Sequence, residues 1–214
     1  MTQVKMGKFL TLEGSEGAGK STNLAFMAEY LRSKSIEVIT TREPGGTEIG
    51  EAVRGILLNK DYTEMHPDTE LLLMFAARAQ HIREKILPAL EQGKWVISDR
   101  FTDASYAYQG AARKMGFERI AEIETWVQQG FFPDCTLVLD LPIEMGMQRV
   151  RSRGGDGDRF EEEQQAFFET VRQAYLQRAT DNPDRYSVID ASQSLQAVQK
   201  LIQTALDSLI GDQV

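Results

Sequence analysis

The sequence predicts an α/β fold with a doubly wound, five-stranded parallel sheet and helices on both faces. Strand-like and helix-like segments alternate along the whole chain, as they do when each strand is followed by a crossover helix. The strand-like segments are short and apolar, which is typical of strands that are covered on both sides. The chain has 214 residues, of which 42% are hydrophobic, and this is enough for one well-packed core.

The predicted elements follow one another without a linker, a repeat or a low-complexity tract. In chain order they are strand 9–12, helix 20–33, strand 38–41, helices 48–58 and 68–92, strand 95–98, helix 120–129, strand 136–139, helices 143–151 and 161–180, strand 187–189 and helix 195–210. Gly93 ends the helix at 68–92, and Pro88 is expected to kink that helix or to split off its last turn. Residues 1–214 are therefore predicted to form a single domain.

The composition limits the partners of this protein. Its net charge of −8 and its isoelectric point near 4.9 argue against general binding to nucleic acid or to an acidic membrane, because both need a positive surface. An anionic ligand must therefore be bound by local clusters of arginine. The apolar run at 71–77 is far too short to cross a bilayer, and the single cysteine, Cys135, excludes an internal disulfide. These features predict a cytoplasmic protein.

The most specific motif is the G-x-x-x-x-G-K-S at residues 14–21, between the first strand and the first helix. This is the context of a phosphate-binding loop, so a P-loop NTPase fold is predicted. The glycines let successive N–H groups and the helix N-terminus converge on a phosphate, Lys20 would reach the β- and γ-phosphates, and the Ser21 hydroxyl would ligate Mg²⁺. The predicted ATP contacts of the loop are Gly14, Ser15, Glu16, Gly17, Ala18, Gly19, Lys20, Ser21 and Thr22. The alternative is a glycine-rich turn that only connects the strand to the helix.

A second carboxylate is expected to hold Mg²⁺ from the end of another strand, either directly or through water. Two aspartates follow apolar strands, Asp99 and Asp140. Asp99 is preferred because Arg100 comes next and places an anion-binding group beside the metal. Asp140 is followed by Leu141 and Pro142, which offer nothing polar.

Four arginines are predicted to lie at the same edge of the sheet, and they indicate the class of reaction. They are Arg42, Arg54, Arg78 and Arg100. The carboxyl ends of the strands are where open α/β sheets bind ligands. A second anionic substrate, bound opposite the triphosphate, accounts for such a group in an acidic protein.

Four further motifs stand in the order and spacing of bacterial thymidylate kinases. They are Thr41-Arg42-Glu43-Pro44-Gly45-Gly46-Thr47, Asp99-Arg100-Phe101, Ala107-Tyr108-Gln109-Gly110 and Phe132-Pro133-Asp134. The chain resembles that family from Phe9 to Ile210. The resemblance implies transfer of the γ-phosphoryl group of ATP to dTMP, giving ADP and dTDP for the dTTP pathway, usually by a homodimer.

The same resemblance implies which residues contact dTMP. Arg54 and Arg100 are expected at its phosphate, with Arg42 and Glu43 nearby. Arg78 is expected to reach the edge of the thymine through the planar donors of its guanidinium group.

The resemblance also implies the contacts to the base and the sugar. Ser105 and Gln109 would line both, and Tyr108 would pack where a ribose 2′-hydroxyl would otherwise sit, with ordinary helix packing as its alternative role. The family usually has an aromatic residue four positions before the base-binding arginine, whereas this chain has Met74 there and Phe75 one position later. We expect Phe75 to contact the thymine, with a sulfur contact from Met74 as the alternative.

Glu16 stands at a loop position that is basic in the eukaryotic branch of the family. The chain therefore needs another cation for the transferring phosphoryl group, and the glycine- and arginine-rich segment at about 149–160 is predicted to be a short lid that supplies it. The resemblance to the lid-arginine branch implies Arg153 as the arginine finger, with Arg149 and Arg159 as supporting ATP contacts. An exposed helix end followed by a flexible loop is the alternative. The predicted catalytic residues are Lys20, Asp99, Glu16 and Arg153.

Two other classes of function compete with this interpretation. A kinase for another small anion shares the phosphate-binding loop, but the motif at 41–47 and Tyr108 favour dTMP. A GTP-binding switch needs N-K-x-D after a strand, and the nearest match, Asn59-Lys60-Asp61-Tyr62, has its aspartate one position early and follows a helix. A regulatory ATPase needs an interaction surface for which no additional domain is present.

Overall fold

The computed structural model describes residues 6–153, 159–160 and 163–211. Five parallel strands form one sheet, with the bounds Phe9–Glu13 (β1), Val38–Arg42 (β2), Trp95–Asp99 (β3), Cys135–Asp140 (β4) and Tyr186–Asp190 (β5). Their spatial order is β2-β3-β1-β4-β5, and every neighbouring pair is parallel. The predicted α/β sheet is thereby confirmed.

Every strand continues one residue past its predicted end, and each added residue is polar. These residues are Glu13, Arg42, Asp99, Asp140 and Asp190. The register pairs Arg42 with Asp99 and Asp140 with Asp190, so the backbone ladder runs beyond the apolar part of each strand. The polar side chains consequently stand at the carboxyl edge of the sheet, where α/β folds bind ligands.

The helices of the described residues are Lys20–Ser33 (α1), Glu48–Leu58 (α2), Pro67–His81 (α3), Leu87–Glu91 (α4), Thr102–Ser105 (α5), Phe117–Gln128 (α6), Ile143–Arg153 (α7), Gln165–Asp181 (α8) and Leu195–Gly211 (α9). A π-helical turn, Ile82–Ile86, separates α3 from α4. Pro88 lies in the first turn of α4, so the last turn is split off as expected. Helix α8 begins later than the predicted position 161, because Gln164 is extended.

One helix has no counterpart among the predicted elements. It comprises α5 and the π-helical segment Tyr106–Ala112, and it carries Ser105, Tyr108 and Gln109. Its residues include threonine, aspartate, serine, tyrosine and glycine, which have low helix propensity. Burial against the rest of the protein stabilises it instead, because every residue of Tyr106–Gly110 is buried.

The sheet is covered on both faces. Leu10 and Leu12 of β1 pack on one side with residues of α1 and α9. Phe9 packs on the other side, edge-to-face with Phe101 at 4.9 Å between ring centroids. The alternation follows from the two-residue period of a strand and makes the fold doubly wound. Within the described ranges, none of the helices is long and apolar enough to cross a membrane.

Candidate active site

The glycine-rich loop turns tightly between β1 and α1. Gly17 has a φ of 76°, and a Cβ atom at this position would lie 2.2 Å from the carbonyl oxygen of Gly146, so only glycine fits. Lys20 is buried, and its Nζ atom donates hydrogen bonds of 3.0 Å to the carbonyl oxygens of Gly14 and Ser15. The loop is thus folded around its own ammonium group at the N-terminus of α1, which is a geometry that binds phosphate.

Two adjoining cavities open at this edge of the sheet. The larger, here called the loop cavity, has ≈ 1500 Å³ of empty space including the solvent at its mouth, and the smaller, here called the inner cavity, has ≈ 490 Å³ on the same measure. Of the predicted site residues, the loop cavity is lined by Glu16, Gly17, Ala18, Gly19, Lys20, Ser21, Thr22, Arg42, Glu43, Arg54, Asp99, Arg100 and Arg149. The inner cavity is lined by Glu16, Glu43, Arg54, Arg78, Arg100, Ser105, Tyr108 and Gln109. Both therefore share the wall formed by Glu16, Glu43, Arg54 and Arg100.

The four arginines expected at this edge all line one or both cavities. Arg54 and Arg100 line both, Arg78 lines the inner cavity, and Arg42 lines the loop cavity. Arg42 is the most exposed of them and forms an ion pair of 2.8 Å with Glu51. The arrangement gathers four cationic side chains of this acidic protein at the two cavities.

The two candidate metal-binding aspartates differ in their partners. Both carboxylate oxygens of Asp140 are bonded to Arg172, at 2.6 and 3.0 Å. Asp99 lines the loop cavity together with Ser21, and within the described ranges its carboxylate forms no salt bridge of the kind seen at Asp140. No cluster of three histidine, cysteine or acidic side chains suited to a metal occurs in the described ranges. The available oxygen donors suit a hard cation that completes its coordination with substrate phosphates.

Arg78 lies almost fully buried at the wall of the inner cavity. Its Nε atom donates to Glu43 at 2.7 Å, and its two terminal nitrogens donate to the Ser105 hydroxyl and to the carbonyl oxygen of Phe101, both at 3.1 Å. Glu43 is held in turn by His81, at 2.9 Å. This network fixes the plane of the guanidinium group, and hydrogen bonds of charged groups are among the strongest in proteins.

Arg100 joins the inner cavity to the phosphate-binding loop. Its guanidinium group donates hydrogen bonds to Glu16 and, at 2.8 Å, to the hydroxyl of Tyr108, which itself donates to Glu16 at 3.1 Å. Burial acts to raise the pKa of Glu16, but the charges of Arg100 and Lys20 outweigh it and lower that pKa to about 2. The Nε atom of Arg100 is buried without a hydrogen-bond partner among the described residues, so this guanidinium retains an unused donor.

The turn that presents Arg100 depends on Glu13, which is not among the predicted site residues. Arg100 has a left-handed φ of 67°, and the next N–H, that of Phe101, donates to the buried carboxyl group of Glu13 at 2.7 Å. Tyr175 of α8 donates to the other oxygen of Glu13 at 2.8 Å. Burial raises the pKa of Glu13 to about 8. The available signal was an acidic residue directly after the mainly apolar run at residues 9–12.

Phe75, which was expected to contact the thymine, is not among the residues that line the inner cavity. Phe75 is only 1% exposed and packs away from the inner cavity, against Leu71 and Tyr106. Met74 lines the inner cavity instead. Met74 precedes Arg78 by four residues and therefore lies on the same face of α3, whereas Phe75 is turned by about 100°. The ring of Phe75 stacks under the guanidinium group of Arg78 at 4.4 Å and so supports it from behind.

The two supporting arginines of the predicted lid contact different parts of the chain. Arg149 lines the loop cavity, and its nearest hydrogen-bond acceptor in the phosphate-binding loop is the carbonyl oxygen of Gly17, at 3.4 Å. Arg159, which was expected at ATP, instead donates to the carbonyl oxygen of Leu57 at 2.9 Å and to Glu70 at 2.5 Å. Arg159 is therefore not brought to the loop cavity in this structure. The physical reason is that the buried carboxylate of Glu70 needs a cationic partner.

The predicted arginine finger, Arg153, is the last residue of α7, but its side chain lies outside the described part of the structure, as do residues 154–158. Its role stays a prediction. Arg151 and Ser152, which precede it, are exposed.

Comparison with known proteins gives a consistent result. A sequence model of the family described as thymidylate kinase matches residues 12–202. The chain is 57% identical over 204 residues to a thymidylate kinase of Pseudomonas putida (strain GB-1), a match that covers 95% of this chain and 97% of the relative. It is 53% identical over 206 residues to a thymidylate kinase of Ruthia magnifica subsp. Calyptogena magnifica, covering 96% and 100%. It is 57% identical over 203 residues to one of Thiobacillus denitrificans, covering 95% and 98%.

Proposed function

The chain belongs to the thymidylate kinase family, and we propose that its two adjoining cavities divide the substrates of that family's reaction between them. The reaction is phosphorylation of dTMP to dTDP with ATP as the phosphoryl donor. In the proposed arrangement ATP occupies the loop cavity and dTMP the inner cavity. The observation that carries the proposal is the wall shared by both cavities, in which Arg54 and Arg100 face either side.

The chemistry of the acceptor fits a site made of arginines. A phosphate monoester has its second pKa near about 6, so its attacking oxygen is already anionic at neutral pH and needs no strong base. The main obstacle is repulsion between two polyanions, and catalysis consists of positioning and charge neutralisation. Arg54 and Arg100 would bind the acceptor phosphate, and Lys20 would bind the β- and γ-phosphates of ATP.

We further propose that Asp99 and Ser21 hold Mg²⁺ together with the phosphate oxygens of ATP. Both residues line the loop cavity with oxygen atoms, and Mg²⁺ is usually bound by one or two protein oxygens plus substrate phosphates. The ion supplies neutralisation of phosphate charge when it is bound. Lys20 and Arg149 act beside it as fixed cations of the protein.

For the nucleoside part of dTMP, we propose that Arg78, Ser105 and Gln109 contact the base and that Met74 packs against it. Tyr108 would lie beside the sugar, where hydrogen bonds with Arg100 and Glu16 hold its hydroxyl in place. A ring held in this way leaves no room for adjustment when a ribose brings an additional hydroxyl.

The assignment is tested by measuring ADP release with ATP, Mg²⁺ and a panel of acceptors: dTMP, dUMP, dCMP, UMP, CMP, AMP and GMP. We expect the highest kcat/KM with dTMP. A higher kcat/KM with any purine nucleotide or any ribonucleotide would contradict the assignment of the inner cavity to dTMP.

We also propose that the chain acts as a homodimer in the cytoplasm, as the family resemblance implies. Large apolar side chains are exposed on the neighbouring helices α2, α3 and α6, among them Ile49, Ile56, Leu72 and Trp126. Exposed apolar patches of this kind mark protein interfaces. Sedimentation equilibrium of the wild type and of Leu72→Glu tests this: we expect a dimer for the first and a shift toward monomer for the second, whereas a wild-type monomer at micromolar concentration would contradict it.

Two assignments about the chain itself stay proposals. We infer that residues 1–214 form one domain, and that a lid at about 149–160 brings Arg153 to the transferring phosphoryl group. Support comes from Arg149, which already lies at the loop cavity from the same helix, α7.

A further inference from the structure

The buried carboxylate of Glu70 has no place in the mechanism described so far. Glu70 lies on α3, is only 1% exposed, and is not part of the lining of either cavity. Three donors surround it: the Nε2 atom of Gln109 at 2.7 Å, a terminal nitrogen of Arg159 at 2.5 Å, and the Nε atom of Arg113 at 3.5 Å. A carboxylate beside two guanidinium groups only accepts hydrogen bonds.

This arrangement decides which way the side chain of Gln109 points. A carboxamide has a donor end, the NH₂ group, and an acceptor end, the carbonyl oxygen. Because Glu70 can only accept, the NH₂ end of Gln109 must face it. Gln109 also lines the inner cavity, so its carbonyl oxygen is the end that remains for a ligand. Within the described ranges no hydrogen bond reaches that oxygen.

Arg78, another polar residue that lines the inner cavity, has the opposite character. Arg78 uses three of its five N–H bonds on Glu43, Ser105 and the carbonyl oxygen of Phe101, and its guanidinium group lines the inner cavity. The wall therefore offers N–H donors from Arg78 and an acceptor from Gln109.

A donor next to an acceptor matches one pyrimidine and mismatches the other. Thymine presents an acceptor, O4, next to a donor, N3–H, whereas cytosine presents a donor, the 4-amino group, next to an acceptor, N3. Thymine satisfies both Arg78 and Gln109. Cytosine would place its 4-amino donor against the N–H donors of Arg78 and its N3 acceptor against the carbonyl oxygen of Gln109. Buried polar groups that are left unpaired in this way cost considerable binding free energy.

We propose that Glu70 is a specificity-determining positioning residue, which locks the carboxamide of Gln109 in the orientation that accepts thymine or uracil and rejects cytosine. The inference rests on the proposed binding of dTMP in the inner cavity. Glu70 acts through Gln109 and does not touch the substrate itself. A purely structural role, as the partner of Arg159 and Arg113, is the competing explanation.

Glu70→Gln separates the two roles. The glutamine keeps the size of the side chain but has both a donor and an acceptor end, so Gln109 becomes free to flip. We expect the ratio of kcat/KM for dCMP to that for dTMP to rise by about tenfold or more. The ratio of dUMP to dTMP should stay within about twofold, because uracil has the same O4 and N3–H groups as thymine and differs only in the 5-methyl group.

Two further variants complete the test. Arg113→Met removes a neighbouring charge but leaves Glu70 a carboxylate, and it should leave the dCMP:dTMP ratio within about twofold of the wild type. Gln109→Met leaves Glu70 and its arginines in place and removes only the carboxamide, and it should raise the dCMP:dTMP ratio as Glu70→Gln does. Gln109→Met provides this readout even if Glu70→Gln does not fold, which thermal unfolding would reveal.

The possible outcomes are distinct. An unchanged dCMP:dTMP ratio in Gln109→Met, or in folded Glu70→Gln, would overturn the proposal. Parallel increases for dCMP and dUMP would also overturn it, because they indicate a loosened pocket and not a flipped carboxamide. Failure of the proposed function looks different, since the wild type itself would then prefer an acceptor other than dTMP.

Discussion

Arg100 donates a hydrogen bond to Glu16 across the boundary between the two cavities. Arg100 follows β3 and Glu16 belongs to the phosphate-binding loop after β1, and the two strands are neighbours in the sheet. The contact connects Arg100, which is proposed to bind the phosphate of dTMP, to the loop that is proposed to hold ATP. It also means that the loop carries a negative side chain at the point where the two substrates must meet, so any cation needed there besides Lys20 must come from another element.

The first prediction concerns the acceptor phosphate. Arg100→Ala and Arg54→Ala should each lower kcat/KM for dTMP by roughly one to two decades, because a hydrogen bond to a charged group contributes about 1.5–3 kcal/mol. The KM for ATP should change much less. Steady-state kinetics with either substrate varied would show this, and Arg119→Ala, an exposed arginine on α6, is the matched control. A selective rise in the KM for ATP would assign the arginine to ATP in the loop cavity and not to the phosphate of dTMP.

The second prediction concerns the sugar. Tyr108→Ala should raise the kcat/KM for UMP relative to dUMP, because these acceptors differ only in the 2′-hydroxyl group. Tyr108→Phe keeps the ring, which packs edge-to-face on Phe160 at 5.8 Å, and should keep the rejection of UMP. An unchanged UMP:dUMP ratio in Tyr108→Ala would remove Tyr108 from the sugar site and leave it an ordinary packing role.

Much of the fold was predictable because the strands are apolar runs and the phosphate-binding loop is a specific motif. The helix from Thr102 to Ala112 was not, since several of its residues, such as Thr102, Asp103 and Gly110, have low helix propensity and burial stabilises it. Its burial depends on α8, which is more than fifty residues away in sequence and packs closely against it. Local sequence patterns carry no information about such a partner.

In the site, too, some side-chain positions follow from the local sequence and others depend on residues that are distant in the sequence. The position of Met74 in the inner cavity follows from the helical period, because four residues separate it from Arg78. The turn of Arg159 toward Glu70 does not follow from any local pattern, since these residues are 89 positions apart. A buried acid is recognisable only once the fold has excluded water from it, and only then does it require a cation.

The third prediction concerns the pH dependence of stability. Burial raises the pKa of Glu13 from 4.5 to about 8, so the folded state favours the neutral acid. Its contribution to stability is therefore fully present below about pH 4.5 and is lost as the pH rises through about 8. Relative to Glu13→Gln, the free energy of unfolding of the wild type should fall over this window, by up to roughly 1.4 kcal/mol per pH unit.

Urea unfolding between pH 5 and 9 would test the prediction for Glu13. The control is Glu118→Gln, which removes an exposed acid on α6. Parallel curves for the wild type and Glu13→Gln across the whole range would show that Glu13 is ionised already at pH 5 in the folded protein.

The fourth prediction concerns the transferring phosphoryl group. Arg153→Ala should lower kcat by about three decades while the affinity for dTMP stays close to that of the wild type, because an arginine finger acts mainly in the transition state. Arg151→Ala is the matched control, since Arg151 is exposed two positions earlier on the same helix, and its kcat should stay within about twofold. Single-turnover measurements would separate the chemical step from product release.

An arginine introduced at position 16 tests whether a cation in the loop can replace the cation that Arg153 is predicted to supply. Glu16→Arg should partly restore kcat in the Arg153→Ala background, because it adds a second cation to the phosphate-binding loop beside Lys20. It also removes the partner of Arg100 and places a like charge beside it, so the KM for dTMP should rise in the same variant. Recovery of kcat without that rise would mean that Glu16 does not position Arg100. Normal turnover in Arg153→Ala, combined with a large loss in Arg149→Ala, would move the finger to Arg149, which already lies at the loop cavity.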